Sequence, residues 1–253
     1  AEAGGAPPCV WYCHEPPSAA HDSAEHRFGR ARGGEAWLNG LIESRVARLP
    51  AAQAELLRAA AVIGNVVPAW LLEGMTGRGE HDPLVQGLAE QDFLFPGEAP
   101  GWLRFKHGIT RDVIYDSVGL HQRRAMHLRI PESFLRHGSG SEAERFEALA
   151  YHYGAGGRHA EAARYAELAG GKAMAAAALD RAQVQYRAAL AALDLLEPTE
   201  ANRRRRSQIV QRFGMACVFD PAKDQLDVLQ RAAEFAAGHD DAAGVAGAEY
   251  WLG

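Results

Sequence analysis

The chain has 253 residues, of which 47% are hydrophobic and 23% are charged, and its net charge is −5. This composition is ordinary for a globular protein, and the length allows two modest domains, each with its own core. The negative charge predicts no general attraction to nucleic acid or to anionic membranes, and no apolar run approaches the roughly 18 residues of a membrane span. Three cysteines are too few for a disulfide framework, so we expect a cytoplasmic protein without a signal peptide.

Residues 1–34 are rich in proline and glycine and have no sustained hydrophobic period, which predicts an irregular tail or linker. Cys9, Cys13 and His14 lie close together in this tail, and two further histidines follow. A structural zinc site needs four such ligands, and this spacing matches none of the common zinc motifs. We therefore predict no metal site, and a zinc-stabilised scaffold remains the weaker hypothesis.

Residues 35–95 predict four helices and the start of a strand pair. Hydrophobic side chains recur at helical spacing, and Pro50 ends the first helix. Asp82 followed by Pro83 is a capping residue with proline at the first helical position, which predicts the start of the fourth helix. The predicted helices cover residues 37–49, residues 51–63, a short segment after Pro68, and residues 83–91.

A strand pair and two more helices complete this domain. Residues 92–95 and 102–105 flank a turn rich in proline and glycine, which predicts a small β-hairpin. Helical spacing resumes at His107, so this histidine lies where a strand gives way to a helix. A later helix contains Pro131, which predicts a kink or a restart there. Helices followed by a two-stranded wing predict a winged-helix domain over residues 35–137.

Ala-rich amphipathic helices follow the Gly- and Ser-rich linker at residues 138–141. Small residues let helices approach closely, so residues 142–253 predict a solenoid of helical hairpins. The last helix ends on apolar residues, and we expect a solenoid truncated from a longer one. The predicted fold class is all-α with one small β-hairpin. The residues expected in the solenoid core include Phe146, Tyr153, Tyr165, Tyr186 and Cys217.

Two segments of residues 37–137 resemble bacterial STAND-type signalling ATPases, the large proteins that often carry an adenylate cyclase or a LuxR-type regulator module. The first resembles the segment that follows the nucleotide-binding core of that family. The second is similar to the family's winged-helix signature. The first segment comprises Leu41-Ile42, Arg45, Arg48-Leu49-Pro50, Leu56-Leu57 and Ala59–Gly64; the second comprises Phe105-Lys106-His107, Arg111–Tyr115, Arg123-Arg124 and His127.

The helices after residue 142 resemble tetratricopeptide repeats. A second set of repeat-like positions lies only 20 residues after the first, whereas the usual repeat is about 34 residues. We therefore expect one irregular helix pair before any regular stacking. The matching positions of the two sets are Phe146, Leu149, Ala150, Tyr153, Ala162 and Ala169, then Ala182, Tyr186 and Ala189.

The resemblance implies a regulatory fragment that couples an upstream ATPase domain, with bound ADP or ATP, to a solenoid that senses a protein or small-molecule partner. His107 matches the family's winged-helix histidine, which contacts the phosphates of bound ADP; Gly108 stands where some relatives have aspartate. This chain has no phosphate-binding loop of its own. Its nearest lookalike, Gly170-Gly171-Lys172, lies within a helical pattern and lacks the Ser or Thr that the loop requires. We predict no enzymatic activity, no catalytic residue and no cofactor in this chain.

Other interpretations of these residues remain open. His107 is equally consistent with a residue that caps its helix or fills the joint between strand and helix. Arg203–Arg206 is the one basic run, and it predicts a solvated face that pairs with neighbours such as Glu197 or Glu200. A DNA-binding winged-helix transcription regulator is the alternative function. The helix before the wing carries no lysine or arginine, which disfavours it.

Overall fold

The computed structural model describes residues 33–137, 141–219 and 223–253. Over these residues the protein is predominantly helical, with twelve α-helices and one small antiparallel sheet of three strands. This confirms the predicted fold class. The chain divides into two compact units, which lie within Ala1–Ser139 and Gly140–Gly253. The cysteine and histidine residues of the proposed zinc site lie outside the described residues.

The described residues of the first unit form six helices and all three strands of the sheet. Asp82 caps the fourth helix as predicted, since its side chain accepts a hydrogen bond of 2.8 Å from the amide of Leu84, with Pro83 in the first helical turn. The elements are α1 (Gly33–Ala47), α2 (Ala51–Ile63), β1 (Val66–Pro68), α3 (Ala69–Thr76), α4 (Pro83–Glu90), β2 (Leu94–Pro96), β3 (Trp102–Phe105), α5 (Gly108–Ser117) and α6 (Leu120–His137).

The sheet has the order β1-β3-β2, with β3 in the centre and both pairs antiparallel. The hairpin of β2 and β3 was predicted from the sequence, and Leu94 lies opposite Phe105 in it. Strand β1 was not predicted, and it places Val66 opposite Arg104. The order of one helix, one strand, two helices and two strands from α2 to β3 is the winged-helix arrangement.

Helix α2 forms the centre of the first unit's core. Its residues Leu57, Ala60, Ala61 and Val62 have no exposed surface, because α3, α4, α5 and α6 all pack against this helix. Burial of such side chains contributes about 0.8 kcal/mol for each methylene group removed from water. The helix is therefore the fixed element against which α5 is placed.

Helix α6 continues through Pro131 instead of restarting there. Proline removes one backbone hydrogen bond and clashes with the preceding turn, at a cost of about 3 kcal/mol. The residues on either side, Ile130 and Phe134, are almost completely buried, and the Phe134 ring packs edge-on against Trp70 at 5.4 Å. Apolar burial on both sides of the proline offsets the lost hydrogen bond.

The described residues of the second unit form six helices, and their core is built mainly from alanine. Tyr186 and Cys217 are buried in it as predicted, whereas Phe146, Tyr153 and Tyr165 are half-buried. Tyr153 and Tyr165 stack with their planes 8° apart. The helices are α7 (Glu142–Ala155), α8 (His159–Ala175), α9 (Leu179–Asp194), α10 (Glu200–Cys217), α11 (Lys223–Ala237) and α12 (Ala242–Leu252).

Two glycines of the second unit bring helices into close contact with aromatic rings. A Cβ atom on Gly170 would lie 2.6 Å from the ring of Tyr186, so α8 and α9 touch through a glycine and an aromatic face. A Cβ atom on Gly214 would lie 2.3 Å from the indole of Trp251, which fits α12 against α10 in the same way. The Trp251 indole also donates a hydrogen bond of 2.9 Å to the side chain of Gln211.

Candidate functional site

His107 is the residue immediately before α5, and its backbone is extended, with φ −139° and ψ 138°. Its backbone carbonyl accepts hydrogen bonds from the amides of Thr110 at 3.1 Å and Arg111 at 3.4 Å. The imidazole makes no capping hydrogen bond and is exposed. The main chain of His107 therefore begins the helix, and its side chain does not fill the joint between strand and helix.

The two chain neighbours of His107 are both constrained. Lys106 forms an ion pair, and Gly108 has little space for a side chain. Nζ of Lys106 lies 2.7 Å from Oδ1 of Asp92, and this hydrogen bond is the main cause that lowers the pKa of the Asp92 carboxyl. A Cβ atom on Gly108 would lie 3.3 Å from Nδ2 of Asn65. A larger residue at position 108 would have to displace the Asn65 side chain.

Four residues of the segment in which the sequence suggested a winged-helix signature form one cluster between α5 and α6. The guanidinium groups of Arg111 and Arg123 both lie against the ring of Tyr115. Their central carbon atoms are 4.5 and 4.6 Å from the ring centroid. The phenol oxygen of Tyr115 is 2.9 Å from Nε2 of His127. We call Arg111, Tyr115, Arg123 and His127 the signature cluster.

Each arginine of the signature cluster is held by further contacts. Nε of Arg111 donates a hydrogen bond of 2.8 Å to the carbonyl of Ala61 in α2, and its guanidinium pairs with Asp112 at 3.0 Å. Arg123 pairs with Asp116 at 3.3 Å. The cluster thus fixes α5 to α2 on one side and to α6 on the other.

His127 is 1% exposed, and its pKa is lowered from 6.5 to about 3. Burial is the largest cause, since it disfavours the charged ring, and the positive charges of Arg111 and Arg123 act in the same direction. His127 is therefore neutral at physiological pH and cannot supply a positive charge to a ligand. Its role within the cluster is to position Tyr115.

The sequence identified all four cluster residues as parts of a motif but gave no sign that they contact one another. Tyr115 and His127 are separated by a helix end and the turn before α6, so no helical periodicity links them. Strong burial of a histidine beside two arginines has no simple sequence signature. His107, the one predicted site residue, lies at the start of the helix that the cluster holds.

Each arginine of the basic run Arg203–Arg206 forms a hydrogen bond or an ion pair with another residue of the second unit. Arg203 donates to the carbonyl of Pro198 at 2.7 Å, and the predicted pair of Arg204 with Glu200 is present at 2.7 Å. Arg205 pairs with Glu167 at 2.7 Å.

Arg206 differs from the predicted solvated face, because it is only 8% exposed. It pairs with Asp194, and its guanidinium carbon lies 4.0 Å from the centroid of the Phe235 ring. The last two arginines of the run therefore join α10 to α8, α9 and α11. A nucleic-acid phosphate would have to compete with these contacts.

Within the part of the chain that the structure describes, three further sequence features form no binding or catalytic site. The described residues contain no group of three or more His, Cys, Asp or Glu side chains placed to hold a metal ion. Gly170-Gly171-Lys172 lies inside α8, as predicted, so its backbone cannot cradle a phosphate. Cys217 is buried, which raises the pKa of its thiol to about 11 and leaves it unreactive. Among the helices that the structure describes, none is long and apolar enough to cross a membrane.

Comparisons with protein-family models, with curated proteins and with solved structures gave no match to this chain. The proposed resemblance to STAND-type ATPases therefore rests on two sequence segments alone, residues 41–64 and residues 105–127.

Proposed function

We propose that this chain is a cytoplasmic signal-transducing part of a STAND-type ATPase, without catalytic activity of its own. In this proposal the winged-helix unit couples an upstream nucleotide-binding domain to the helical unit, which senses a protein or small-molecule partner. The observation that carries the proposal is the exposed imidazole of His107 at the start of α5. By the resemblance of the sequence segment, it matches the family's phosphate-contacting histidine.

The chemistry at the start of α5 suits an anion. The first amide groups of a helix have no carbonyl partner within the helix, and the helix dipole adds a partial positive charge at this end. The exposed imidazole of His107 could add a hydrogen bond to such an anion. A phosphate of ADP bound to the upstream domain would then hold α5 in place and stabilise a closed, inactive state.

The signature cluster supplies a route by which this contact affects the rest of the unit. Arg111 joins α5 to the core helix α2, and Tyr115 joins α5 to His127 of α6. Movement of α5 away from the nucleotide would have to disturb these contacts. A partner bound to the second unit shifts the equilibrium only if it binds more tightly to the open state than to the closed one.

The test is a titration of ADP into the protein extended upstream to include its nucleotide-binding domain. His107→Ala is expected to lower the ADP affinity by about 10- to 100-fold, because a hydrogen bond to a charged group is worth about 1.5–3 kcal/mol. His81→Ala, which removes another exposed histidine of the same unit, is the matched control. Equal ADP affinity in the two variants, or an upstream sequence without a phosphate loop, would contradict the proposal.

A further inference from the structure

Helix α1 contains the one asparagine–glycine pair of the chain, Asn39-Gly40. The side-chain carbonyl of an asparagine can be attacked by the backbone nitrogen of the next residue. Glycine at that next position obstructs the attack least, because it has no side chain and the widest choice of backbone conformations. The other two asparagines, Asn65 and Asn202, precede valine and arginine. Asn39 is therefore the asparagine whose neighbour favours loss of the side-chain amide.

The side-chain amide of Asn39 is poorly satisfied in the folded protein. Its Oδ1 atom is buried and accepts no hydrogen bond from any residue that the structure describes. A buried polar atom without a partner is less stable than the same atom in water. Asn202 differs, because its Nδ2 atom donates a hydrogen bond of 2.8 Å to the carbonyl of Glu197. Opening of α1 hydrates the amide of Asn39, whereas opening of α10 breaks the hydrogen bond of Asn202.

The first turns of α1 offer little resistance to local opening. Three of the residues from 33 to 40 are glycine, which is the least favourable residue in a helix interior after proline. From residue 36 onward, the first buried side chain is that of Ile42, and Trp37 is 70% exposed. Segments with few buried apolar contacts open at a lower free energy than the whole domain. The helix therefore unwinds at Asn39 more readily than the unit unfolds.

We propose that Asn39 is a site of spontaneous deamidation. In the opened segment the backbone nitrogen of Gly40 bonds to the side-chain carbonyl carbon of Asn39. The bond from this carbon to the side-chain nitrogen breaks, and the nitrogen leaves as ammonia with the proton from the Gly40 amide. Water then opens the resulting cyclic imide at either carbonyl, which gives aspartate or isoaspartate at position 39 without any change of oxidation state. This inference concerns α1 alone and does not depend on the role of His107.

Both products change how α1 packs. Each one replaces a buried amide oxygen with a carboxylate, and burial of an unpaired charge is more costly than burial of an amide. Isoaspartate also inserts a methylene group into the main chain, which interrupts the regular spacing of the helical hydrogen bonds. Helix α1 packs against α5, so deamidation weakens the contact between these two helices.

Peptide mass spectrometry of the full chain, incubated at mildly alkaline pH without denaturant, measures conversion at all three asparagines in one sample. Conversion of Asn39 is expected to be at least about tenfold faster than conversion of Asn65 or Asn202, a ratio that corresponds to about 1.4 kcal/mol. Chromatography separates the two product peptides, and both isoaspartate and aspartate should form. The converted protein, separated by ion exchange, should unfold at a lower urea concentration than the unconverted protein.

Gly40→Ala tests the chemistry at the site. A Cβ atom at this position would meet nothing within 4 Å, so the folded protein accepts the substitution. Alanine obstructs the backbone nitrogen and favours the helix, so conversion of Asn39 should become at least about tenfold slower. Gly171→Ala is the matched control, because it makes the same substitution at an equally open position in α8. It should leave the rate at Asn39 unchanged.

Four outcomes would overturn the proposal. The first is conversion of Asn39 no faster than that of Asn65 and Asn202 in the folded chain. The second is conversion of Asn39 only after the chain is unfolded in urea, which would show that α1 stays closed. The third is an unchanged rate in Gly40→Ala, and the fourth is equal slowing by Gly171→Ala.

Discussion

The phenol of Tyr115 and the buried imidazole of His127 share a hydrogen bond of 2.9 Å that joins α5 to α6. His127 is 1% exposed, so water cannot replace Tyr115 as its partner without opening the unit. The guanidinium groups of Arg111 and Arg123 lie against the same phenol ring. The placement of the helix that begins after His107 therefore depends on Tyr115.

Tyr115→Phe is expected to destabilise the protein by about 1–2 kcal/mol, because it removes a hydrogen bond to a buried nitrogen and keeps the aromatic ring. Urea denaturation of the full chain, followed by circular dichroism, measures the change. Tyr250→Phe removes a hydroxyl from a side chain that is 74% exposed and should alter the free energy of unfolding by less than about 0.5 kcal/mol. Equal effects of the two substitutions would show that the contact with His127 contributes nothing.

The depressed pKa of His127 predicts that the protein loses stability as the solution becomes acidic. Below pH 6.5 the unfolded chain takes up a proton at this residue, whereas the folded chain does not until about pH 3. The free energy of unfolding should therefore fall by about 1–2 kcal/mol between pH 6.5 and pH 5, at up to about 1.4 kcal/mol for each pH unit.

His127→Gln is expected to remove most of this pH dependence, because glutamine keeps a polar group beside Tyr115 but does not titrate. His121→Gln replaces an exposed histidine at the start of α6 and should leave the pH dependence unchanged. Urea midpoints measured from pH 7 to pH 5 compare the three proteins. A wild-type slope that survives in His127→Gln would assign the acid sensitivity to other groups.

The sequence predicted most helices because their signals are local. Asp82-Pro83 starts α4 through its own side chain and ring, and Pro50 keeps Leu49 out of a helical conformation, so that α1 ends at Ala47 just before it. Strand β1 was missed because it has only three residues, and nothing but its pairing with β3, more than 30 residues later, defines it. Contacts over such separations carry no periodicity.

The candidate site was predicted less completely than the fold. The position of His107 before a helix followed from the change of hydrophobic period, whereas its exposure depends on how the joint packs. The arginine run was also predicted only where its contacts are local. The pairing of Arg204 with Glu200 follows from their spacing on one helix, but the burial of Arg206 against Phe235 depends on the packing of α11.

Gly170→Ala is expected to destabilise the second unit by about 1–3 kcal/mol, because its Cβ atom would lie 2.6 Å from the buried ring of Tyr186. Gly171→Ala is the matched control in the same helix. Its Cβ atom would meet nothing within 4 Å, so the better helix propensity of alanine should stabilise the protein by about 0.5–1 kcal/mol. Thermal unfolding should separate the two variants in opposite directions, and stabilisation by both would contradict the close contact.

Arg206→Ala and Arg204→Ala compare a buried and an exposed member of the basic run. Arg206 contacts Asp194 and the Phe235 ring and is 8% exposed, so its loss should cost about 1–3 kcal/mol through packing and the cation–π contact. The Arg204 side chain is 72% exposed and pairs with a residue one turn away, so its loss should cost less than about 0.5 kcal/mol. Urea denaturation measures both values. A larger cost for Arg204→Ala than for Arg206→Ala would contradict the structural role of the run, because the buried arginine would then contribute less than a solvated one.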